Sequence, residues 1–268
     1  MDRLSELPVS LPGLSAGRGT TSSRHTGMKE HFGVGRIERG DTEWWGNGRA
    51  WRSRAGSILL KQPGDVVRHL SHAGPTTFTV VRLPTEMVLQ AQAHVRAGVV
   101  HPQLEPGDER AAPFHRLLDA IEAHADAFTL EVLLAESISA FTPLSAGLPD
   151  YSRPVKRAVD CLRASLTQTI TLDQLAAEAA YDKFHLCRAF RREIGMPPHR
   201  YLTHLRIAEA KRLLSAGVRA SDLAPLLGFY DQAQLTKHFK RIVGTTPARF
   251  AKVRRGVEDQ YQLYTRES

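Results

Sequence analysis

The sequence predicts an α+β protein of more than one domain, with a β-barrel and flanking helices in the N-terminal half and an all-helical C-terminal third. Three observations predict this: short β-patterned segments between residues 29 and 83, helical periodicity from residue 154 onward, and a charge difference between the two halves. A length of 268 residues suits two ordinary domains.

The N-terminal prediction depends on regularly spaced turns. Residues 29–83 hold several strand-like segments between turn residues, which favours a sandwich or small barrel. Asn47-Gly48 separates two of these segments and predicts a tight hairpin. Amphipathic helices are expected over 113–124 and 129–142. Met28 opens the patterned stretch, so a translation start at that methionine is an alternative.

Composition sets the expected boundaries. Residues 1–27 are rich in Ser, Gly, Pro and Arg, which predicts a disordered tail. The barrel domain with its two helices is expected over 28–142, followed by a linker over 143–153. The helical domain is expected over 154–256, and a C-terminal tail over 257–268.

Basic residues concentrate in the helical domain. Residues 151–256 hold 20 Lys and Arg against 8 Asp and Glu, whereas residues 1–150 hold 15 against 17. This asymmetry indicates a polyanion-binding module joined to a domain with another role. A solvated basic face is the alternative that charge alone leaves open.

Several protein classes are disfavoured. Two cysteines, Cys161 and Cys187, predict neither a secreted disulfide scaffold nor a four-cysteine zinc site. No apolar run approaches the ~20 residues that cross a bilayer, and the N-terminus has no signal-peptide pattern. We therefore expect a cytoplasmic protein without a membrane partner.

The C-terminal segment repeats itself at an offset of 49 residues, which indicates two copies of one supersecondary unit. The paired positions are Asp182 and Asp231, Leu186 and Leu235, Phe190 and Phe239, Arg192 and Arg241, Gly195 and Gly244, Pro198 and Pro247, and Tyr201 and Phe250. A long amphipathic helix over Tyr201–Leu214 is expected between the copies.

Each copy has the pattern of two helices joined by a tight turn. In the first, Thr171-Leu-Asp-Gln174 is a capping box and Asp182 can cap the second helix. In the second, Ser221 is the expected cap of the first helix, and Asp231 begins a further capping box. Pro225 lacks an N–H and predicts a weaker or shifted second unit.

Residues 154–254 resemble the DNA-binding domain of the AraC/XylS family of bacterial regulators. The motif Leu186–Gly195, the helix Tyr201–Leu214 and the stretch Gly228–Pro247 carry the resemblance. It implies two recognition helices in successive major grooves, roughly 34 Å apart, on one face of the duplex. It also implies an N-terminal cupin-type barrel for effector binding or dimerisation, and Gly56–Asp65 resembles a cupin turn.

The resemblance assigns roles on the outer faces of the recognition helices. The implied base-reading positions are Phe184, Cys187 and Arg188 in the first helix, and Gln232, Ala233, Thr236 and Lys237 in the second. The expected phosphate contacts are Lys183, Arg191, Lys240 and Arg241. Arg188 is the leading candidate because a guanidinium can bond guanine O6 and N7 together, with a phosphate contact as the alternative. Cys187 and Ala233 are poor hydrogen-bonding groups at implied base-reading positions. The second unit is therefore expected to add affinity more than specificity.

Effector-binding candidates lie around the predicted hairpin. Trp45 and Trp51 can contribute to an aromatic pocket, and Arg68 and His69 can meet an anionic effector; barrel core and exposed strand are the alternatives. His69 and His72 are three residues apart, which would place them on opposite strand faces. The sequence therefore predicts no metal, no cofactor and no catalytic residue.

The predicted function is a sequence-specific transcription regulator, expected to activate in response to a small molecule. Its expected partners are double-stranded DNA, an effector, a second copy and RNA polymerase. The apolar faces Leu117–Ile121 and Leu130–Ile138 are expected either to form the dimer contact or, equally, to be buried on their own barrel. A cupin-type enzyme with a DNA-binding tail is an alternative that needs a metal site. A methyl-accepting repair regulator would need N-terminal cysteines, but the first cysteine is Cys161. A constitutive binder whose barrel only dimerises also fits.

Overall fold

The computed structural model describes residues 3–23, 26–95, 100–145 and 151–252. The chain divides into two compact units, one of residues 1–151 with 192–195 and the other of residues 152–191 with 196–268. Within the described residues, the first unit holds both β-sheets and the second is helical. The predicted combination of a β-rich domain and an all-α domain is thus confirmed.

Ten strands lie within the described residues of the first unit and pair antiparallel in two sheets. They are β1 (Arg3–Leu7), β2 (Ser15–Thr21), β3 (Thr26–Met28), β4 (Gly33–Arg39), β5 (Thr42–Gly46), β6 (Arg49–Ser53), β7 (Ile58–Lys61), β8 (Val66–His72), β9 (Thr76–Arg82) and β10 (Gln103–Leu104). The six-stranded sheet has the order β1-β2-β9-β4-β7-β10, and the four-stranded sheet has the order β3-β8-β5-β6. Asn47 and Gly48 form the predicted hairpin turn, with φ of 52° and 79°.

The prediction of a disordered tail over residues 1–27 is wrong for the residues that the structure describes there. The whole of β2 pairs with β9, and β1 pairs with β2. Leu14 and Ala16 are buried in the core. The two-residue periodicity of this segment is hidden in the sequence because glycines occupy its other face, so composition alone suggests a tail.

Three α-helices and a 3-10 helix accompany the sheets in the described part of the first unit. They are α1 (Thr85–Gln92), the 3-10 helix Glu109–Ala111, α2 (Ala112–Glu122) and α3 (Ala127–Ser145). Val34 and Val81 of the six-stranded sheet pack in one core with Phe114 and Phe141 of the helices. Both helices predicted before the linker are present, but α3 continues through Pro143 to Ser145. The expected linker therefore begins too early, and its residues 146–150 lie outside the described ranges.

Helix α3 is long and apolar enough to cross a membrane by length and composition, contrary to the expectation that no such run exists. Its side chains Leu130, Leu134, Ile138 and Phe141 are buried in the core shared with the six-stranded sheet. Burial in this core accounts for the apolar composition of the helix.

The C-terminal unit contains six helices within the described residues. They are α4 (Arg153–Ala164), α5 (Leu172–Ala179), α6 (Lys183–Ile194), α7 (Pro198–Ser215), α8 (Leu223–Leu226) and α9 (Gln232–Val243). The N-terminal half of α7 packs toward α6 through Tyr201, whose ring meets Phe190 edge to face at 5.7 Å. Its C-terminal half contributes Ile207 and Leu214 to a core with Leu235 and Phe239. The expected tail over 257–268 lies outside the described residues.

Candidate nucleic-acid interface

The first helix-turn-helix consists of α5 and α6 and has both predicted caps. The Gln174 N–H donates to Thr171 Oγ1 at 3.2 Å, and the Thr171 N–H donates to Gln174 Oε1 at 2.8 Å. Ala180 forms the turn in the left-handed conformation, with φ of 51°. Asp182 Oδ1 accepts the N–H groups of Phe184 and His185, each at 3.0 Å. These bonds satisfy the free donors at both helix starts.

The outer face of α6 presents the predicted reading residues to solvent. Arg188 and Phe184 are exposed, with 67% of Phe184 accessible, and Cys187 is half-buried. The opposite face of the helix buries Leu186 and Phe190. No hydrogen bond or ion pair joins Arg188 to another residue in the described parts of the chain, so its guanidinium is available for a ligand.

The second helix-turn-helix departs from the first at its starting helix. Helix α8 spans only four residues, and its N-cap is Asp222, which makes no side-chain capping bond. Ser221 instead donates its hydroxyl to Asp222 Oδ1 at 2.9 Å, so the predicted Ser221 cap is wrong. Pro225 lies in the first turn of α8, where its missing N–H has no helical acceptor to lose. The shortness of α8 agrees with the expectation of a weaker or shifted unit.

Helix α9 is capped by Asp231 and exposes the second set of reading residues. The Gln234 N–H donates to Asp231 Oδ1 at 2.6 Å. The Gln234 amide oxygen accepts from the Tyr230 N–H at 2.9 Å rather than from Asp231, so the predicted capping box is only half formed. The assigned positions are exposed except for one half-buried threonine; they are Gln232, Ala233, Thr236 and Lys237.

The expected phosphate contacts differ in their present partners. The Lys183 ammonium donates to Asp173 Oδ1 at 2.8 Å, and this interaction raises the pKa of Lys183. Arg241 Nη2 lies 2.9 Å from His238 Nδ1. Arg191 and Lys240 are exposed. An exposed ion pair such as that of Lys183 contributes little stability, so a phosphate can replace the carboxylate.

Two tyrosines lie just before the starts of the recognition helices. Neither of them was predicted from the sequence as part of the site. Tyr230, just before the cap of α9, is 93% exposed, and Tyr181, just before the cap of α6, is 44% exposed. They are separated by the same 49-residue offset as the repeat. A phenolic hydroxyl is a common phosphate contact. Aligning the two copies beyond the seven paired positions would have found both.

The inner face of the barrel, defined here as the side of the six-stranded sheet turned toward the four-stranded sheet, is rich in glycine. Its glycines are Gly17, Gly19, Gly33 and Gly35, and their cross-strand partners on the same face are Val80, Phe78, Lys61 and Leu59, respectively. These four partners are only half-buried. The Lys61 Nζ lies 3.4 Å from the centre of the Trp44 ring, which is itself buried and stacked on Trp51 at 6.0 Å.

Charge on the inner face centres on Lys61. Burial lowers the pKa of Lys61 to about 7; Asp65 opposes this shift and Lys29 adds to it. Burial also lowers the pKa of Lys29 and raises that of Asp65. Two amines and one carboxyl therefore interact in a buried region, and one of the amines, Lys61, lies over Trp44. None of these three groups was predicted from the sequence to have a role.

The four residues predicted to bind an effector divide between two sheet faces. Trp51 and His69 lie opposite Trp44 in register and share its inward face. Trp45 and Arg68 pair with each other on the outward face, where the guanidinium lies 5.3 Å from the indole centre. The structure thus brings these residues together only in pairs.

A β-bulge overturns the expectation for His69 and His72. The register of β5 and β8 shifts between Glu43 and Trp44, so Trp44 pairs with His69 while Thr42 pairs with His72. Both imidazoles therefore lie on one face, and their rings stack at 5.3 Å. Among the described residues, no group of three or more His, Cys, Asp or Glu side chains could hold a metal ion.

Both units match known protein families. Residues 14–138 match the family described as AraC-like ligand binding domain, and residues 175–253 match the family described as Helix-turn-helix domain. The transcriptional activator AarP of Providencia stuartii is 33% identical over 99 residues, which cover 37% of this chain and 73% of AarP. The chain belongs to the AraC/XylS family of transcriptional regulators.

Two further similarities cover different shares of the two chains compared. The regulator YbfI of Bacillus subtilis (strain 168) is 37% identical over 105 residues, and the match covers 38% of each chain. The crystal structure of apo ToxT from Vibrio cholerae covers 91% of this chain and 98% of ToxT, with 12% identity and a TM-score of 0.48.

The family match also corrects a boundary. The AraC-like ligand binding domain begins at residue 14 rather than at residue 28, in agreement with the pairing of β2 in the sheet. The chain is therefore a DNA-binding transcriptional regulator with an N-terminal ligand-binding domain.

Proposed function

We propose that the protein is a sequence-specific regulator that reads two DNA boxes through α6 and α9. The observation that carries the proposal is the character of the two outer helix faces. From Lys183 to Arg192 and from Gln232 to Val243 neither helix contains an acidic residue, and the exposed side chains are cations and amides together with one phenyl ring, one imidazole and one methyl group. Such faces suit base edges and phosphates.

The residue roles follow from side-chain chemistry. Arg188 is the proposed reader of guanine, and Phe184 the proposed contact with a thymine methyl group or a sugar. The base-reading roles of Cys187, Gln232, Ala233, Thr236 and Lys237 follow the family pattern. The proposed phosphate contacts are Lys183, Arg191, Lys240 and Arg241, to which Tyr181 and Tyr230 are added.

Activation of transcription, with RNA polymerase as partner, is part of the proposal and is supported by the name of the relative AarP, an activator. Action in the cytoplasm and association with a second copy belong to the same proposal. No catalytic step is included, because the matched relatives named above are regulators.

The proposed effector is an anion with a flat apolar part, bound on the inner face of the barrel. Two buried amines, Lys61 and Lys29, accompany one carboxyl, Asp65, and a bound anion would favour the charged form of Lys61 that burial disfavours. The Trp44 ring is buried, with the Lys61 ammonium over it. The flat apolar surface proposed for the effector is therefore the half-buried Trp51 ring, which stacks on Trp44 and has the Arg49 guanidinium 3.7 Å from its centre. The glycines of the six-stranded sheet leave few side chains on this face.

Selection from a random duplex pool tests the DNA-binding part of the proposal. The full chain at near-physiological salt is expected to enrich a motif of two short boxes about one helical turn apart. Enrichment of no motif, with binding that depends only on salt, would show that the protein does not read sequence.

Ligand binding tests the effector part, because all three tryptophans lie in the β5–β6 hairpin and report on the inner face by fluorescence. Benzoate is expected to bind more tightly than the isosteric neutral benzamide, and this preference should fade above pH ~7 as Lys61 loses its proton. Lys61→Met should abolish the preference. Equal binding of both probes by the wild-type protein would refute an anionic effector.

The pH dependence of stability checks the state of Lys61 without any ligand. Its pKa is about 7 in the folded protein and ordinary in the unfolded chain, so between these values the unfolded chain holds one more proton. The free energy of unfolding of the wild type should therefore rise from pH 7 toward 10 relative to Lys61→Met. A constant difference between the two proteins over this range would contradict the lowered pKa.

A further inference from the structure

Arg206 lies in the middle of α7 and makes three hydrogen bonds to backbone carbonyls, two in the loop that leads into the first helix-turn-helix unit and one in the turn of the second. Its Nε donates to the Leu166 carbonyl at 2.9 Å and its Nη2 to the Gln168 carbonyl at 2.7 Å. Its Nη1 donates to the Gly228 carbonyl at 2.7 Å. Leu166 and Gln168 belong to the loop between α4 and α5, whereas Gly228 forms the turn before α9.

The guanidinium is held on several sides. It is half-buried, and burial lowers the pKa of Arg206. The centre of the guanidinium also lies 5.7 Å from the centre of the Phe229 ring, and Phe229 is buried in the core that contains Leu235 and Phe239. A cation placed in this way costs desolvation energy, and its hydrogen bonds to carbonyl oxygens offset that cost.

Gly228 shows how closely the two units approach at this point. A Cβ built on Gly228 would lie 2.7 Å from Arg206 Nη2 and 3.2 Å from the Thr167 carbonyl oxygen. Gly228 also has φ of 64°, which side chains other than glycine rarely adopt. The turn before α9 and the loop before α5 therefore meet around one guanidinium, and only glycine fits between them.

Helix α7 packs against both units. Its first half packs on Phe190 through Tyr201, and its second half joins the core of Leu235 and Phe239. The Arg206 hydrogen bonds add a second link, because they join the loop before α5 directly to the turn before α9.

We propose that Arg206 fixes the relative orientation of the two helix-turn-helix units and so determines which spacing between DNA boxes the protein accepts. The inference rests on the proposed two-box reading. Adding one base pair between boxes shifts the second by about 3.4 Å and turns it by roughly 35°. A rigid pair of units cannot follow this change, whereas a flexible pair can.

The test measures Kd of the full chain for duplexes that carry both selected boxes at the native spacing and with one base pair added or removed. The spacing penalty is defined as the ratio of the altered to the native Kd. We expect a penalty of at least about tenfold for the wild type, which is about the cost of losing one contact between the protein and a base pair of the displaced box. For Arg206→Gln we expect a penalty of about threefold or less, since either unit can then adjust.

Two further variants separate orientation from charge. Arg212→Gln is the matched control, because Arg212 lies on the same helix and, among the residues that the structure describes, hydrogen-bonds only Glu209 of that helix. Its penalty should stay at the wild-type value. Arg206→Lys keeps the charge, but one ammonium cannot span three carbonyls, so its penalty should fall as in Arg206→Gln.

If the proposed function is wrong, the wild-type protein will select no two-box motif. That result can be told apart from each of the outcomes that follow. A wild type that tolerates altered spacing overturns the inference. If Arg206→Gln keeps the same spacing penalty as the wild type while its Kd rises equally on every duplex, Arg206 contributes only to folding or charge, and the inference is overturned. Full rescue by Arg206→Lys also overturns it. If Arg206→Gln fails to fold, as judged on duplexes with the first box alone, the penalty of Arg206→Lys decides.

Discussion

The two helix-turn-helix units share a repeat but differ in how firmly each is built. The first has an eight-residue α5 with a complete capping box, whereas the second has a four-residue α8 without a side-chain cap. The first turn places an alanine, Ala180, in the left-handed region, whereas the second places Gly228 there. The recognition helices themselves are alike, since each spans twelve residues and starts at an aspartate.

This difference shows which parts of the unit its function constrains. The recognition helix, its aspartate cap and the phenylalanine beneath it are kept in both copies, because they position the face that carries the proposed DNA contacts. The supporting helix and the turn differ, because several local solutions can hold the same recognition helix. In the second unit the turn must also admit Arg206, which accounts for its glycine.

The largest expected effect comes from the buried rings that anchor each recognition helix. Phe190 and Phe239 are fully buried and meet Tyr201 and Phe250 edge to face. Phe190→Ala and Phe239→Ala should each lower the free energy of unfolding of the full chain by about 3–5 kcal/mol in denaturant titrations. Phe184→Ala, on the exposed face of α6, is the control and should change it little. Comparable losses in all three would refute the assigned faces.

DNA binding should separate the two recognition helices next. Arg188→Ala is expected to weaken binding to the selected site by roughly 1–3 kcal/mol while leaving binding to random DNA nearly unchanged. Lys240→Ala, at a proposed phosphate contact of the second unit, should weaken binding to both selected and random DNA by similar amounts. Equal losses on selected and random DNA for Arg188→Ala would move that residue to the phosphate contacts.

Capping distinguishes the supporting helices. Thr171→Ala removes an acceptor that the Gln174 N–H uses and should destabilise the protein by about 1 kcal/mol. Ser221→Ala removes no cap and should stay within about 0.5 kcal/mol of the wild type. Thr171→Ser should restore stability. A larger loss for Ser221→Ala than for Thr171→Ala would reverse the assignment of the better-capped unit.

A substitution in the turn of the first unit is expected to have the smallest effect on the free energy of unfolding, and to increase it rather than lower it. Ala180 adopts φ of 51°, where a Cβ is strained. Ala180→Gly should therefore stabilise the protein by about 0.5 kcal/mol in thermal or denaturant unfolding. A clear loss of stability would mean that Ala180 makes a packing contribution greater than its backbone strain.

The features that sequence predicted well are those that leave a local pattern. The 49-residue repeat, the Asp182 and Asp231 caps and the Asn47-Gly48 turn each combine a residue type with a spacing. The strand β2 was missed because its glycines hide the alternation. The bulge that brings His69 beside His72 was missed because a register shift depends on the neighbouring strand.

Long-range contacts to the backbone leave no pattern at all. Arg206 donates to three carbonyls, which every residue type carries, so nothing in the sequence marks its partners. Lys61 lies over Trp44 because β5 and β7 belong to facing sheets, and that arrangement follows from the fold. These two side chains, which carry the linkage between the units and the charge of the barrel, therefore required the structure.

The measurement that tests the central claim most directly is hydroxyl-radical footprinting of the full chain on its selected duplex. Two units that read successive major grooves should protect two stretches on one face of the DNA, centred about 10 base pairs apart. Arg188→Ala should weaken protection of one stretch first. A single protected stretch, or uniform weak protection along the duplex, would contradict the account of two reading helices held by one linker.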